Sequence, residues 1–247
     1  MKIKSGQEVL LLGPRTYLLP ARGIIDSKFG KLPLEKLAGK SFGYKLKVGK
    51  YIFTVVEPTV LDFMQRKTKR GPQVVLPKDA SLIAALTGAG KNWKVLDAGA
   101  GSGFMSIFLS NIGCDVTAYE VRKDFYNVAK KNVDICKAKV NVFNRDVTKG
   151  ITGKDFDLVT LDMQHPEKAI KHAHKALRPG GWLAVYSMHV EEVREAFKEI
   201  RKHSFTKPRI IEPLEREWQI EGNAKTFMRP RNHMIAHTGF LTITRKV

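Results

Sequence analysis

Beyond Pro77 the chain alternates amphipathic stretches with short β-branched runs, a rhythm that predicts helices packed on a largely parallel sheet. Apolar spacing predicts helices over Asp79–Thr87, Phe104–Asn111, Asp124–Cys136, Pro166–Leu177 and Val190–His203. In the third, Phe125, Val128, Ala129, Asn132 and Val133 share a face; in the fourth the stripe is Ala169, Ile170, Ala173, Ala176 and Leu177. Strands are predicted at Lys94–Leu96, Asp115–Tyr119, Val140–Phe143, Phe156–Leu161 and Trp182–Tyr186, with two more near Arg209–Glu217 and His237–Thr244. Arg178-Pro179-Gly180-Gly181 is expected to stop the fourth helix and turn into the next strand, because proline cannot continue a helix and glycine supplies a positive φ. The front of the chain reads differently. Apolar runs at Val9–Leu12, Tyr17–Leu19 and Tyr51–Val56 are broken by Gly-Pro, Lys-Phe-Gly-Lys and Gly-Lys turns, the pattern of a small antiparallel β domain. The fold class expected is therefore α/β, with a β-rich domain over residues 1–65, a linker over 66–74 and an α/β domain over 75–247.

Charge sharpens this division. The chain carries a formal +19 over 247 residues, and its first 72 hold 15 Lys and Arg against 5 Asp and Glu. A basic module of this kind suits a polyanion, nucleic acid before an acidic membrane surface, because neutralising phosphates releases condensed counterions. A solvated basic surface is the plainer alternative. Phe29, Phe42, Tyr44 and Tyr51 lie among these lysines and suit either stacking on unpaired bases or the core of a small β domain. A hydrophobic content of 43% excludes a disordered tail protein, and no apolar run reaches membrane-spanning length. Cys114 and Cys136 make neither a disulfide framework nor a zinc cluster, so a reducing cytoplasm is expected. His172 and His174 are two apart on a helix, share no face, and are expected at the surface without a metal.

The local chemistry begins at Val95-Leu96-Asp97-Ala98-Gly99-Ala100-Gly101-Ser102-Gly103, a strand that runs into alternating glycines and then a helix. Glycine removes Cβ atoms where a ligand must lie against backbone, and the helix start offers unpaired N–H groups, so a nucleotide-like ligand is implied. Glu120 ends the next strand, where a carboxylate can accept both hydroxyls of a ribose; Asp146 follows the third, where it can face an adenine amino group. Each piece has a plainer role: glycines make tight turns, Glu120 can pair with Arg122, and Asp146 can cap a turn. Taken in order at successive strand ends, they resemble the S-adenosylmethionine site of the Rossmann-like class I methyltransferases. The fourth strand ends in Asp162, which that resemblance places at the transferable methyl; the alternative is a cap for the helix near Pro166. No Pro-Cys dipeptide and no Asp/Asn-Pro-Pro-aromatic tetrapeptide is present, which lowers cytosine-C5 and exocyclic-amine methylation. Adenine N1 needs no strong base. A carboxylate accepting from N6–H would raise electron density at N1 and offset the charge that develops.

Several further segments carry a more specific resemblance: Arg70-Gly71-Pro72-Gln73-Val74-Val75 with Pro77-Lys78-Asp79, Tyr119-Glu120-Val121-Arg122, Leu161-Asp162 with Pro166, Met228-Arg229-Pro230-Arg231, and His237-Thr238-Gly239-Phe240. Over essentially the whole chain these are similar to the tRNA adenine-N1 methyltransferase family of archaeal and bacterial type. The resemblance implies a homotetramer that methylates the T-loop adenine at tRNA position 58, and in some archaeal members position 57. It also implies that Gln73, the Gly99-Ala100-Gly101-Ser102-Gly103 loop, Ser106, Glu120, Asp146 and Val147 hold the methyl donor. Asp162 would meet the adenine, and Arg229 and Arg231 would face tRNA. Leu76 stands where the family carries His or Tyr near the target base, and Asp162-Met163-Gln164-His165-Pro166 replaces its Asp-Leu-Pro/Met-x-Pro, so Gln164 and His165 are candidates for part of the base contact. A methyltransferase of another acceptor (a different RNA, a protein carboxylate or a small molecule) and a non-catalytic RNA-binding relative remain the alternatives.

Overall fold

The computed structural model describes residues 1–71, 74–221 and 227–247, with only the backbone of Glu221. It separates into two compact units, Met1–Lys69 and Arg70–Val247, which divide inside the expected linker.

In the first unit the strands are β1 (Glu8–Leu12), β2 (Tyr17–Pro20), β3 (Ile24–Ser27), β4 (Gly30–Pro33), β5 (Lys45–Val48) and β6 (Tyr51–Val56). An antiparallel sheet of order β2-β1-β6-β5 and a β3-β4 hairpin enclose a core of Val9, Leu11, Leu32, Leu46, Phe53 and Val55. Phe29 and Tyr51 pack on that core, their rings 4.9 Å apart edge to face, while Lys28 and Lys50 lie over their faces. Sequence alone gave no signal strong enough for β3, β4 and β5. The helix α1 (Val60–Arg66) was not foreseen; it lies at the end of the expected β domain and reaches the first residue of the expected linker. Its cause is local: Thr59 Oγ1 accepts from the Asp62 N–H, and the Asp62 carboxylate accepts from the Thr59 N–H, a reciprocal cap that satisfies two orphan donors.

The second unit runs α2 (Pro77–Thr87), β7 (Lys94–Ala98), α3 (Phe104–Asn111), β8 (Asp115–Tyr119), α4 (Lys123–Cys136), β9 (Val140–Phe143), β10 (Phe156–Asp162), α5 (Glu167–Ala176), β11 (Leu177–Ser187), α6 (Val190–Ile200), β12 (Arg209–Ile211), β13 (Trp218–Glu221), β14 (Phe227–Pro230) and β15 (Phe240–Arg245). The sheet order is β12-β15-β11-β10-β7-β8-β9, parallel from β11 through β9 and antiparallel at β15. The central strands β7 and β10 are buried on both faces, which explains their nearly continuous apolar runs. The expected α5 stripe is wholly buried, joined by Ile200 of α6 and Val185 of β11. Chain direction reverses its progress across the sheet at β7, which has β8 on one side and β10 on the other, and this opens a crevice at their carboxyl ends.

Three expectations change. The strand foreseen near Arg209–Glu217 stops at Ile211, because Glu212-Pro213 brings a charge and a missing N–H. Arg178–Gly181 is not a turn before the strand but an irregularity within β11: Leu177 pairs with Phe156, and pairing resumes at Trp182 with Leu158. His174 is half-buried rather than superficial, its ring stacked 5.4 Å from that of His203 and edge-on to Phe205. Both cysteines are free and buried, and burial pushes each thiol up to about 11, which keeps them protonated. No helix among the described residues is long and apolar enough to cross a membrane.

Candidate active site

The loop after β7 is built to approach other backbone. Gly99, Gly101 and Gly103 have φ of +80°, +54° and +80°, and a Cβ on Gly99 would run into the carbonyl of Asp162. Buried Asn132 on α4 donates from Nδ2 to the Ser102 carbonyl at 2.8 Å, and the Gly71 N–H donates to Ser102 Oγ at 2.6 Å. Asp97, near the carboxyl end of β7, is buried and accepts from Ser106 Oγ and from Thr160 Oγ1 (2.7 Å). Burial raises its pKa above the usual carboxylate range, against the lowering effect of those two hydroxyls. Glu120, buried at the end of β8, closes the loop: Oε2 accepts from the Gly101 N–H at 2.8 Å and Oε1 from the Arg122 N–H at 2.9 Å. The Arg122 guanidinium lies 4.0 Å from Glu120 but stacks 3.8 Å over the Phe125 ring.

Together these elements line a cavity of about 470 Å³ at the carboxyl ends of β7, β8, β10 and β11. Of the residues expected at the site, it gathers Gly99, Ala100, Gly101, Ser102, Glu120, Asp162 and Gln164, and His165 with them. Asp162 caps no helix; the residue before α5 is Pro166, and among the described residues no hydrogen bond to its carboxylate is present. Burial, then Asp97, Glu120 and Glu192, raise its pKa to about 7. A cavity with four carboxylates in a chain of +19 is complementary to a cation, and one carboxyl poised near neutrality answers readily to a positive charge placed beside it.

The other expected residues that are described do not line the cavity. Ser106 is buried behind it on Asp97, and Gly103 starts α3. Val147 belongs to the core, and Asp146 takes the plainer role: its Oδ1 accepts from the Thr148 N–H (2.9 Å) and hydroxyl (2.6 Å), which lowers its pKa. Leu76 is the half-buried residue preceding α2. Arg229 and Arg231 stand on and just beyond β14, bonded to Asn232 and Glu217. Gln73 lies outside the described residues. Sequence reading missed Tyr186, Met188, Glu192 and Phe125 in the wall. Tyr186 was discoverable in principle, since it closes the strand predicted over Trp182–Tyr186 and is the register partner of Asp162.

Comparison with known proteins follows from this geometry. The family described as "tRNA methyltransferase complex GCD14 subunit" matches residues 51–226. TrmI of Methanocaldococcus jannaschii, a tRNA (adenine(57)-N(1)/adenine(58)-N(1))-methyltransferase, is 31% identical over 235 residues, covering 82% of each chain. Two solved structures superpose over 100% of this chain at 26% identity. One is the tRNA (m1A58) methyltransferase TrmI of Aquifex aeolicus, with a TM-score of 0.84 over 99% of that chain. The other is described as a SAM-dependent O-methyltransferase of Thermotoga maritima, with a TM-score of 0.87 over 95% of that chain.

Proposed function

The chain belongs to the family described as the GCD14 subunit of the tRNA methyltransferase complex, and from that premise we propose that Asp162 is its catalytic residue, acting on the N6 amino group of a tRNA adenine. The fold is the Rossmann-like class I methyltransferase fold behind a β-rich front part, and the activity is S-adenosylmethionine-dependent methylation of adenine N1 in tRNA. Position 58 is the target named for the relatives, with 57 added for the archaeal one.

The cavity fits the donor. Its carboxylates suit a ligand bearing a sulfonium and an ammonium, and the Gly99–Gly103 loop leaves backbone open to a nucleoside. When bound, the donor supplies an electrophilic methyl. The chain does the rest. Glu120 uses one lone pair on each oxygen for Gly101 and Arg122, leaving the others for two vicinal hydroxyls. Arg122 on Phe125 flanks the mouth with a stacking surface. Asp162, on the tip of β10, accepts from N6–H, orients N1 in line with the methyl and compensates the positive charge that the ring acquires. Because N1 lies on the pairing edge, the base must be unpaired or extruded. Gln164 and His165 would touch it from the rim, Arg229 and Arg231 would hold the surrounding tRNA, and the basic front unit would add phosphate contacts. Ser106 would act on the donor through Asp97 rather than by contact.

The β13–β14 hairpin leaves Trp218, Ile220, Phe227 and Met228 exposed, a surface that supports assembly into the homotetramer expected of the family in a cytoplasmic enzyme. The observation that carries the reading is the convergence of the glycine loop, Glu120 and Asp162 in one cavity. Incubating the protein with a tRNA transcript and S-adenosylmethionine, then analysing nucleosides by mass spectrometry, should give 1-methyladenosine. Methylation of another base, or of protein alone, would overturn it.

A further inference from the structure

The excursion between β12 and β15 carries the β13–β14 hairpin, and its two ends meet. Glu212 opens it and His237 closes it, with His237 Nδ1 2.7 Å from Glu212 Oε1. The other ring nitrogen, Nε2, lies 2.8 Å from the carbonyl oxygen of Met188, a residue of the cavity wall. An ionised carboxylate and a carbonyl can only accept, so both nitrogens must donate and the ring must be an imidazolium. Met188 is itself fixed from the other side, since Glu192 Oε2 accepts its N–H at 3.0 Å, and Glu192 also faces the cavity. A second tie lies beside it. Lys78 Nζ donates to Pro213 O and Thr238 Oγ1, both at 2.8 Å, and to Asp79 at 2.6 Å, while Tyr186 Oη donates to the Thr238 carbonyl at 2.5 Å. Lys78 therefore binds the neck of the excursion together, and among the described residues His237 is what links that neck to the Met188 carbonyl.

We propose that His237 is a positioning residue: doubly bonded as an imidazolium, it seats the hairpin that carries Arg229 against the acceptor end of the cavity, so that tRNA binds best while the ring is protonated. The inference rests on the tRNA-methylating activity and deepens it by naming what couples the hairpin to the reacting end. The charged groups facing His237 are Glu212 from the segment after β12 and Lys78 from the first turn of α2; Phe240 of β15 presents an uncharged ring at 5.0 Å. Its bonds to Met188 and Glu212 outweigh the repulsion from Lys78 and raise its pKa above that of a free histidine. The clamp thus closes as pH falls and opens as pH rises through that raised pKa.

The test measures KM for tRNA, kcat and donor affinity across pH in the full-length protein. In the wild type, KM for tRNA should rise about tenfold as pH climbs through the His237 transition, the size of one hydrogen bond to a charged group, with donor affinity following a different profile. His237→Phe keeps a ring against Phe240 and should fix KM at the high value at every pH, with unaltered donor binding and melting temperature. Glu212→Gln keeps an acceptor but removes the charge, so the midpoint of the KM profile should move to lower pH, which a merely structural contact would not produce. A wild-type KM in His237→Phe, or an unmoved midpoint in Glu212→Gln, overturns the proposal. Absence of methylation by the wild type would instead refute the activity on which it rests.

Discussion

Replacing Asp162 by Asn should stabilise the donor-free protein at alkaline pH while removing its activity. Burial and the neighbouring Asp97, Glu120 and Glu192 lift the Asp162 carboxyl to about 7. A carboxyl that holds its proton more tightly folded than unfolded adds stability at low pH, and that contribution is lost as pH rises from about 4 to about 7. Above that window the folded chain keeps a charge it would rather neutralise, at a cost of up to about 4 kcal/mol from roughly three decades of altered proton affinity. Asn is isosteric and uncharged. At pH 8 the variant should melt on the order of 5–10 °C higher, allowing for relaxation and for a unit of this size. At pH 4 the two melting curves should coincide. Methyl transfer should fall about 100- to 1000-fold, the usual consequence of deleting a group aimed at developing charge. The assays are differential scanning fluorimetry across pH and single-turnover transfer of labelled methyl to tRNA. A variant no more stable at pH 8 than at pH 4, relative to the wild type, would refute the electrostatic account of the site; undiminished transfer would refute the catalytic assignment.

Two further outcomes follow from distances in the cavity. Gly99→Ala puts a methyl group into the Asp162 carbonyl at a φ of +80°, so denaturant unfolding should show a loss of about 3 kcal/mol or more, and a loss below about 0.5 kcal/mol would contradict the packing described. Glu120→Gln turns one acceptor oxygen into an amide that confronts the N–H of Gly101 or Arg122, so calorimetry should find donor affinity about 10- to 100-fold weaker, with tRNA affinity unchanged.

How much of this could be read from sequence depends on how local each cause is. Helix α3 and strands β8 and β9 begin and end where the apolar pattern said, because glycine turns and β-branched runs act within a few residues. The parallel core was equally legible, since strands covered on both faces advertise themselves as apolar runs. The β13–β14 hairpin was not. Its apolar residues Trp218 and Ile220 are exposed while the polar Gln219 between them is half-buried, so no apolar-inward period marks the strand. Within the site, Asp97, Glu120 and Asp162 could be placed at strand ends, but Tyr186, Met188 and Glu192 enter the cavity through the β10–β11 register and the cap of α6. Those are long-range facts of pairing. At Asp146, after a strand end, both readings were open in the sequence, and one carboxylate oxygen is engaged by Thr148 two residues away.

The contact between Gly99 and the Asp162 carbonyl has a consequence for how such enzymes diversify. The separation between the glycine loop and the Asp162 main chain is set by two adjoining rungs of backbone, 63 positions apart in sequence yet unable to drift separately. Side chains around the rim can then be exchanged while the approach of the loop to the tip of β10 stays where the main chain set it. A sulfonium-dependent scaffold of this shape can thus change its clientele without rebuilding its reaction axis, which is consistent with close superposition on proteins described as acting on oxygen as well as nitrogen.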